Sequence, residues 1–199
     1  LESIRFIRSR LAANDLNYLE KKVLERLVHT SGDFTVQNLV NFSEGACEKG
    51  LQALKNGAPI LTDTDMAAAA IKTMSENTTR NKVFTARMWF GKNNHTNLTK
   101  TAYGLSEGWK ELSAINSGSK SPIVVIGSSP TALTYLIDIL ENAKDLPSLI
   151  IGMPVGFIGV ENSKNKLIST DLPRIVLNST RGGAAMAAAA VNALLRETI

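Results

Sequence analysis

PIVVIGSSPT, residues 122–131, is the stretch on which the fold depends, because it predicts a buried strand, a tight turn and a helix in ten residues. The apolar run 122–126 contains four β-branched residues in a row and is typical of a strand covered on both faces. Pro130 fits the first helical turn, where a missing N–H is tolerated. Leu133, Leu136 and Ile137 then recur at helical spacing. The segment therefore predicts one strand-and-helix unit of an α/β protein.

The same alternation extends on both sides of this unit. Further strands are predicted at 58–61, 83–89, 148–151 and 174–177, and helices at 66–74, 97–115 and from Gly182-Gly183 to the C-terminus. Residues 1–57 are predicted to be helical throughout. We therefore expect a single domain over residues 1–199, an α/β fold with three α/β/α layers and a mostly parallel central sheet. Ligands of such sheets bind at the carboxyl ends of the strands.

Composition narrows the class of ligand. The chain carries a net charge of +4 with a pI near 9.2, yet Lys and Arg are scattered and only 6% of residues are aromatic. This pattern argues against a nucleic-acid partner and favours a small anionic ligand. The single cysteine, Cys47, is expected to be a structural thiol in a reducing compartment. With no apolar run long enough for a bilayer and no signal peptide, we expect a cytoplasmic protein without a membrane partner.

His29 in RLVHTSGD, residues 26–33, lies where an amphipathic helix is predicted to end. Unpaired carbonyls at a helix C-terminus favour the imidazolium form, which suits a proton donor. A histidine that only caps the helix is the alternative. Arg26 precedes His29 by three residues, so it shares the helical face and is a candidate for bringing an anion to the acid. A solvated arginine explains Arg26 equally simply.

The turn from Gly127 to Thr131 is the second candidate site, because N–H groups at a helix start can bind a phosphate or carboxylate. The turn departs from the GxGxxG motif, so it indicates nucleotide binding only weakly. Simple capping of the following helix explains the turn about as well. The glycine-rich stretch 152–159 suggests a ligand or close packing, and Gly182-Gly183 suggests close backbone packing or a subunit contact. Asp63 and Asp65 are predicted to cap a helix. We find no pattern of metal ligands.

Five segments taken together resemble one family. They are RLVHTSGD (26–33), GAPILTDTDM (57–66), IGSSPTAL (126–133), GMPVGFIGVENSK (152–164) and RGGAAMAAAAVNALL (181–195). In this order they are similar to the precorrin-8X methylmutases, also known as cobalt-precorrin-8 methylmutases, of cobalamin biosynthesis. The resemblance runs from about Ser3 to Leu195 and so covers nearly the whole chain.

The resemblance implies an isomerase that moves a methyl group from carbon 11 to carbon 12 of a precorrin-8-type macrocycle. It implies that no methyl donor or redox cofactor is needed, and that the protein is a homodimer with its site near the subunit interface. His29 matches the family's catalytic histidine, whereas Ser3 and Arg26 match substrate-binding residues. Two alternatives stay open: a relative that binds tetrapyrroles without catalysis, and an unrelated nucleotide-binding α/β protein.

Three departures from the family pattern affect the expected substrate contacts. Lys100 stands where the family commonly has an arginine, which keeps the charge but loses the bidentate fork. Ser128 replaces an asparagine in the turn after the strand, and residues 178–181 replace a more basic stretch. Lys100 is nevertheless expected to contact the substrate, and the substrate is expected with or without cobalt.

Overall fold

The protein is described here by a computed structural model that covers residues 2–12, 15–91 and 97–199. A six-stranded sheet lies at its centre, with the strand order β1-β6-β5-β4-β2-β3. The strands are β1 Val40–Phe42, β2 Ile60–Thr62, β3 Val83–Thr85, β4 Ile123–Ile126, β5 Leu149–Gly152 and β6 Arg174–Leu177. β1 pairs antiparallel with β6, and every other pair is parallel. The prediction of a mostly parallel sheet is confirmed.

Helices cover both faces of the sheet, which completes the predicted three layers. One layer holds α1 Glu2–Arg10, α2 Tyr18–Ser31, α3 Ala46–Lys55, α4 Asp65–Glu76 and α8 Ala184–Arg196. The other holds α5 Lys100–Ile115, α6 Pro130–Leu140 and α7 Val160–Ile168. Within the described ranges, no helix is long and apolar enough to cross a membrane.

The strand β4 shows why the run 122–126 had to be fully apolar. Ile123 and Val125 pack into the core on the α8 side, whereas Val124 and Ile126 pack into the core on the α6 side. All four side chains are buried. Each such burial stabilises the fold by roughly 1.5–3 kcal/mol. A strand between two helical layers therefore does not alternate apolar and polar residues, as a strand with one solvent-exposed face does.

Two local predictions were wrong, and one helix was not predicted. The first quarter is not all helical, since the short edge strand β1 follows a 3₁₀ turn at Phe34–Asn38. The strand at 83–89 ends at Thr85, because Ala86–Trp89 forms a second 3₁₀ turn. The helix α7 was not predicted, because its sequence VENSKNKLI is mostly polar and its buried residues include Ser163 and Lys164.

Two glycines allow α8 to begin directly against the sheet. A Cβ added at Gly127 would lie 2.6 Å from the Cα of Ala184, and one at Gly182 would lie 2.1 Å from the carbonyl oxygen of Met153. Gly182 also has a φ of +156°, which side-chain-bearing residues rarely adopt. The predicted close backbone packing at Gly182-Gly183 is confirmed.

Cys47 lies on α3 and is completely buried in the core between the sheet and α8. Burial is the main cause that raises the pKa of its thiol, and the nearby negative charges of Glu20 and Glu48 raise it further. The thiol therefore stays protonated and serves as a packing group, as the sequence predicted.

Candidate active site at the end of helix α2

The helix that carries His29 is fixed at both ends. At its start, the side chain of Asn17 accepts from the N–H of Glu20 at 3.0 Å, and the Glu20 carboxylate accepts from the N–H of Asn17 at 2.9 Å. At its end, Gly32 adopts the left-handed conformation with a φ of 65°, and its N–H donates to the carbonyl of Val28 at 2.9 Å. His29 therefore lies in the last turn, as predicted.

His29 faces an open groove of about 440 Å³ between α1 and the end of α2. Ser3 lines the same groove, so the structure brings these two predicted residues together. The apolar part of the wall includes Phe6, Ile7 and Phe34. The imidazole is exposed, while Phe6 is 54% exposed. An exposed imidazole thus lies beside an aromatic surface on which a flat ring can pack.

A second groove of about 400 Å³ lies beyond the helix end and is lined by Thr30, Ser31, Val155 and Gly182. Arg181 borders it and pairs with Asp33, which follows the cap of α2. The hydroxyl and N–H of Thr35, together with Arg181, lower the pKa of Asp33 to about 2. Arg181 is thus committed to holding the segment after His29 in place.

Arg26 does not share the groove of His29, although it lies three residues earlier on α2. The helix α1 lies between them, and Arg26 lines a different groove on its far side with Arg5, Arg8 and Arg196. Burial, and then the charge of Arg196, lower the pKa of Arg26. The structure therefore does not bring Arg26 and His29 into one groove within a single chain.

Lys100 lies far from His29 within one chain. It is the exposed first residue of α5, which packs in the opposite helical layer against β2. The helix α2, which carries His29, belongs to the layer on the other face of the sheet. A cation is disfavoured at a helix N-terminus, so helix stability does not account for Lys100.

The turn after β4 is already occupied by a side chain of the protein itself. The carboxylate of Asp63 accepts the N–H groups of Gly127 at 3.1 Å, Ser128 at 2.7 Å and Ser129 at 3.0 Å. Asp63 is 3% exposed, and burial raises its pKa while these bonds oppose the rise.

Two predictions change as a result. Thr64, not Asp63, caps α4, and Ser129 caps α6 by accepting from the N–H of Ala132. β2 and β4 are the neighbouring strands at which the chain changes direction in the sheet, and doubly wound proteins bind nucleotides there. The carboxyl group of Asp63 occupies the N–H groups that a phosphate would use at this position, which removes the structural support for the nucleotide-binding alternative.

Comparison with known proteins shows the family of the chain. The family model of precorrin-8X methylmutase (CbiC) matches residues 1–197. The chain belongs to the precorrin-8X methylmutase family. Members of this family are isomerases of cobalamin biosynthesis.

Individual relatives match over most of their length. The precorrin-8X methylmutase of Pseudomonas aeruginosa is 37% identical over 89% of this chain and 84% of its own. The cobalt-precorrin-8 methylmutase of Methanothermobacter thermautotrophicus is 33% identical over 96% and 88%. The crystal structure of precorrin-8X methylmutase from Thermus thermophilus superposes with a TM-score of 0.86 at 29% identity, covering 99% of this chain and 93% of that one.

Lys164 of this methylmutase-family chain was not predicted from the sequence. It is completely buried on α7, and its ammonium donates to the carbonyls of Ser179 and Arg181, both at 2.6 Å. It thereby fixes the segment that carries Arg181 beside the second groove. Burial lowers the pKa of Lys164 to about 8. A lysine inside a polar stretch gives no sequence signal of burial, which explains the omission.

Replacing Lys164 with methionine is expected to change how stability depends on pH. Between about pH 8 and pH 10.5 the unfolded chain binds more protons at this lysine than the folded chain, so the free energy of unfolding rises with pH. The rise is on the order of 2–3 kcal/mol for a shift of this size. Urea unfolding at pH 7.5 and pH 10 measures it in both proteins. An equal pH dependence in wild type and Lys164→Met would contradict the assignment.

Proposed function

We propose that this protein moves a methyl group from carbon 11 to carbon 12 of a precorrin-8-type macrocycle and releases hydrogenobyrinate or cobyrinate. The observation that carries the proposal is the exposed His29 at the end of α2, in one groove with Ser3 and two aromatic side chains. Family membership supplies the reaction class, and the groove supplies a place for a flat, partly apolar ring.

His29 acts in this proposal as the general acid and base. Protonation of the ring system makes the migrating π framework electron-poor, which favours a 1,5-sigmatropic shift, and the proton returns to the imidazole afterwards. The Ser3 hydroxyl hydrogen-bonds the rim of the substrate, and Phe6 and Phe34 cover the reacting face against water.

We further propose that the enzyme acts as a homodimer. Phe157 and Ile158 in the glycine-rich stretch are 89% and 88% exposed. A second copy of the chain or the substrate would cover this apolar surface. Lys100 and His29 of one chain lie in opposite helical layers. Lys100 of one subunit therefore contacts substrate only in the groove of the other subunit. Arg26 contacts a peripheral carboxylate that reaches past α1.

The test is to mix the purified protein with precorrin-8X and, separately, with cobalt-precorrin-8, and to follow the visible absorption spectrum. We expect conversion to the spectrum of the conjugated corrin acid in at least one mixture, and a protein-free sample as control keeps the spectrum of the precursor. Tight binding without conversion in both would contradict the proposal and indicate a tetrapyrrole-binding relative without catalysis.

A further inference from the structure

The helix α1 forms one wall of the groove of His29 and is only nine residues long. Helices shorter than about 12 residues are rarely stable in water on their own, so α1 stays helical only while it is docked. Ser3, Phe6 and Ile7 are three and four residues apart and line the groove from one side of α1. The contacts that dock α1 therefore decide where the Ser3 hydroxyl and the Phe6 ring lie relative to His29.

The apolar contacts of α1 are few. Of residues 2–10, only Ile7 is buried, and Ile4 packs partly against the same core. Phe6 is more than half exposed and forms an edge-to-face pair with Phe34, with the ring centroids 6.3 Å apart. One buried side chain is too little to order a segment of nine residues, because each ordered residue loses conformational entropy.

An ion pair between α1 and α2 supplies a further contact. The carboxylate of Glu25 accepts from Nε and Nη2 of Arg8 at 2.5 and 2.8 Å, which is a bidentate arrangement. Glu25 is 7% exposed, so its carboxylate has lost most of its contact with water and needs a charged partner. Among the residues that the structure describes, Arg8 is the only cation paired with it. Glu25 lies four residues before His29, so the pair ties α1 to the turn of α2 that precedes the histidine.

We propose that the ion pair of Arg8 and Glu25 is a latch that holds α1 along the groove and thereby positions Ser3 and Phe6 beside the substrate. This inference rests on the function proposed above and adds two positioning residues that act through α1. Without Arg8, the carboxylate of Glu25 is buried and unpaired, and water reaches it only when α1 moves away from α2. The groove then loses one wall, whereas His29 stays in place on α2.

Limited trypsin digestion without any ligand tests the latch. Trypsin cleaves an unfolded segment faster than a helix, and Arg5 and Arg10 of α1 remain as cleavage sites in Arg8→Gln. We expect cleavage within α1 to become faster by about tenfold or more in Arg8→Gln. In Arg8→Gln/Glu25→Gln no buried charge favours the opening, so this double variant is expected to be cleaved no faster than Arg8→Gln.

Arg87→Gln is the matched control for digestion. It makes the same change of side chain and breaks an exposed ion pair with Asp65, outside both grooves beside α1. We expect cleavage of α1 at the wild-type rate in this variant. Equal cleavage of α1 in wild type and Arg8→Gln would overturn the latch. If the rate changes of Arg8→Gln and Glu25→Gln multiply in the double variant, the two side chains act independently, and the latch is overturned as well.

Kinetics separate a latch from an ion pair that only stabilises the fold. In Arg8→Gln we expect the KM for the macrocycle to rise about tenfold while kcat stays near wild type, because Ser3 and Phe6 bind the substrate and His29 does the chemistry. Arg8→Lys keeps the charge without the bidentate fork and is expected to restore part of the affinity. A fall in kcat as large as the rise in KM would contradict a role in positioning α1.

Failure of the proposed reaction gives a different result from failure of the latch. A protein that neither binds nor converts a precorrin-8-type macrocycle, yet whose α1 opens in Arg8→Gln, would keep the latch and contradict the reaction. Equal digestion of all variants, together with normal catalysis, would overturn the latch and leave the reaction intact.

Discussion

Replacing His29 with alanine is expected to slow the methyl shift by about 10²- to 10⁴-fold, the usual contribution of a positioned acid or base. Binding of the corrin product is expected to stay near the wild-type level, because Ser3, Phe6 and Phe34 still line the groove. Folding is expected to be unaffected, since the imidazole is exposed and Gly32, not His29, makes the cap of α2.

Single-turnover absorption kinetics with saturating substrate measure this rate, and fluorescence titration with cobyrinate measures binding. His29→Gln keeps a polar side chain without a titrating nitrogen and is expected to be as slow as the alanine variant. Thr30→Ala is the matched control, because it changes the next exposed residue of the same turn, which faces the other groove. A wild-type rate in His29→Ala would remove the histidine from the mechanism.

Replacing Asp63 with alanine is expected to lower the free energy of unfolding by about 3–5 kcal/mol. The carboxylate is the acceptor for the N–H groups of Gly127, Ser128 and Ser129. Its loss leaves the buried N–H of Gly127 without a partner and removes the acceptor that holds the part-buried N–H groups of both serines. The effect extends to α8, whose first residue, Ala184, packs against Gly127.

Asp65→Ala is the control for this substitution. Asp65 lies two residues further on and pairs with Arg87 at 2.9 Å, but both side chains are more than half exposed. Its removal is expected to lower the free energy of unfolding much less than the removal of Asp63, because solvent screens an exposed ion pair. Urea unfolding followed by circular dichroism gives both values. Similar losses in the two variants would show that the N–H groups of the turn find another acceptor, and would contradict the role given to Asp63.

The sequence was informative wherever local chemistry decides the structure. The run Ile123–Ile126 predicted a central strand because only apolar side chains fit between two helical layers. The end of α2 was predictable because Gly32 follows His29 at the spacing that a left-handed cap requires. Both features depend on neighbours along the chain.

The features that the sequence did not predict depend on distant contacts. Asp63 reaches a turn that begins 64 residues later, so it was assigned to the nearer helix. Arg26 and His29 share a helical face, but the packing of α1 over that face separates them. Lys164 is buried because it bonds carbonyls 15 and 17 residues away. No local pattern distinguishes such residues from solvated ones.

The burial of Cys47 gives the protein an internal reporter of its own motions. A thiol reagent reacts only with an exposed thiolate, and the only thiol of the chain lies at 0% exposure beneath α8. The rate of labelling therefore counts the openings of this core, in the way that hydrogen exchange counts the openings of a backbone amide. The helices α2 and α8 border the same core. A lower labelling rate in the presence of ligand therefore shows that a ligand in the groove of His29 reduces the opening of these helices.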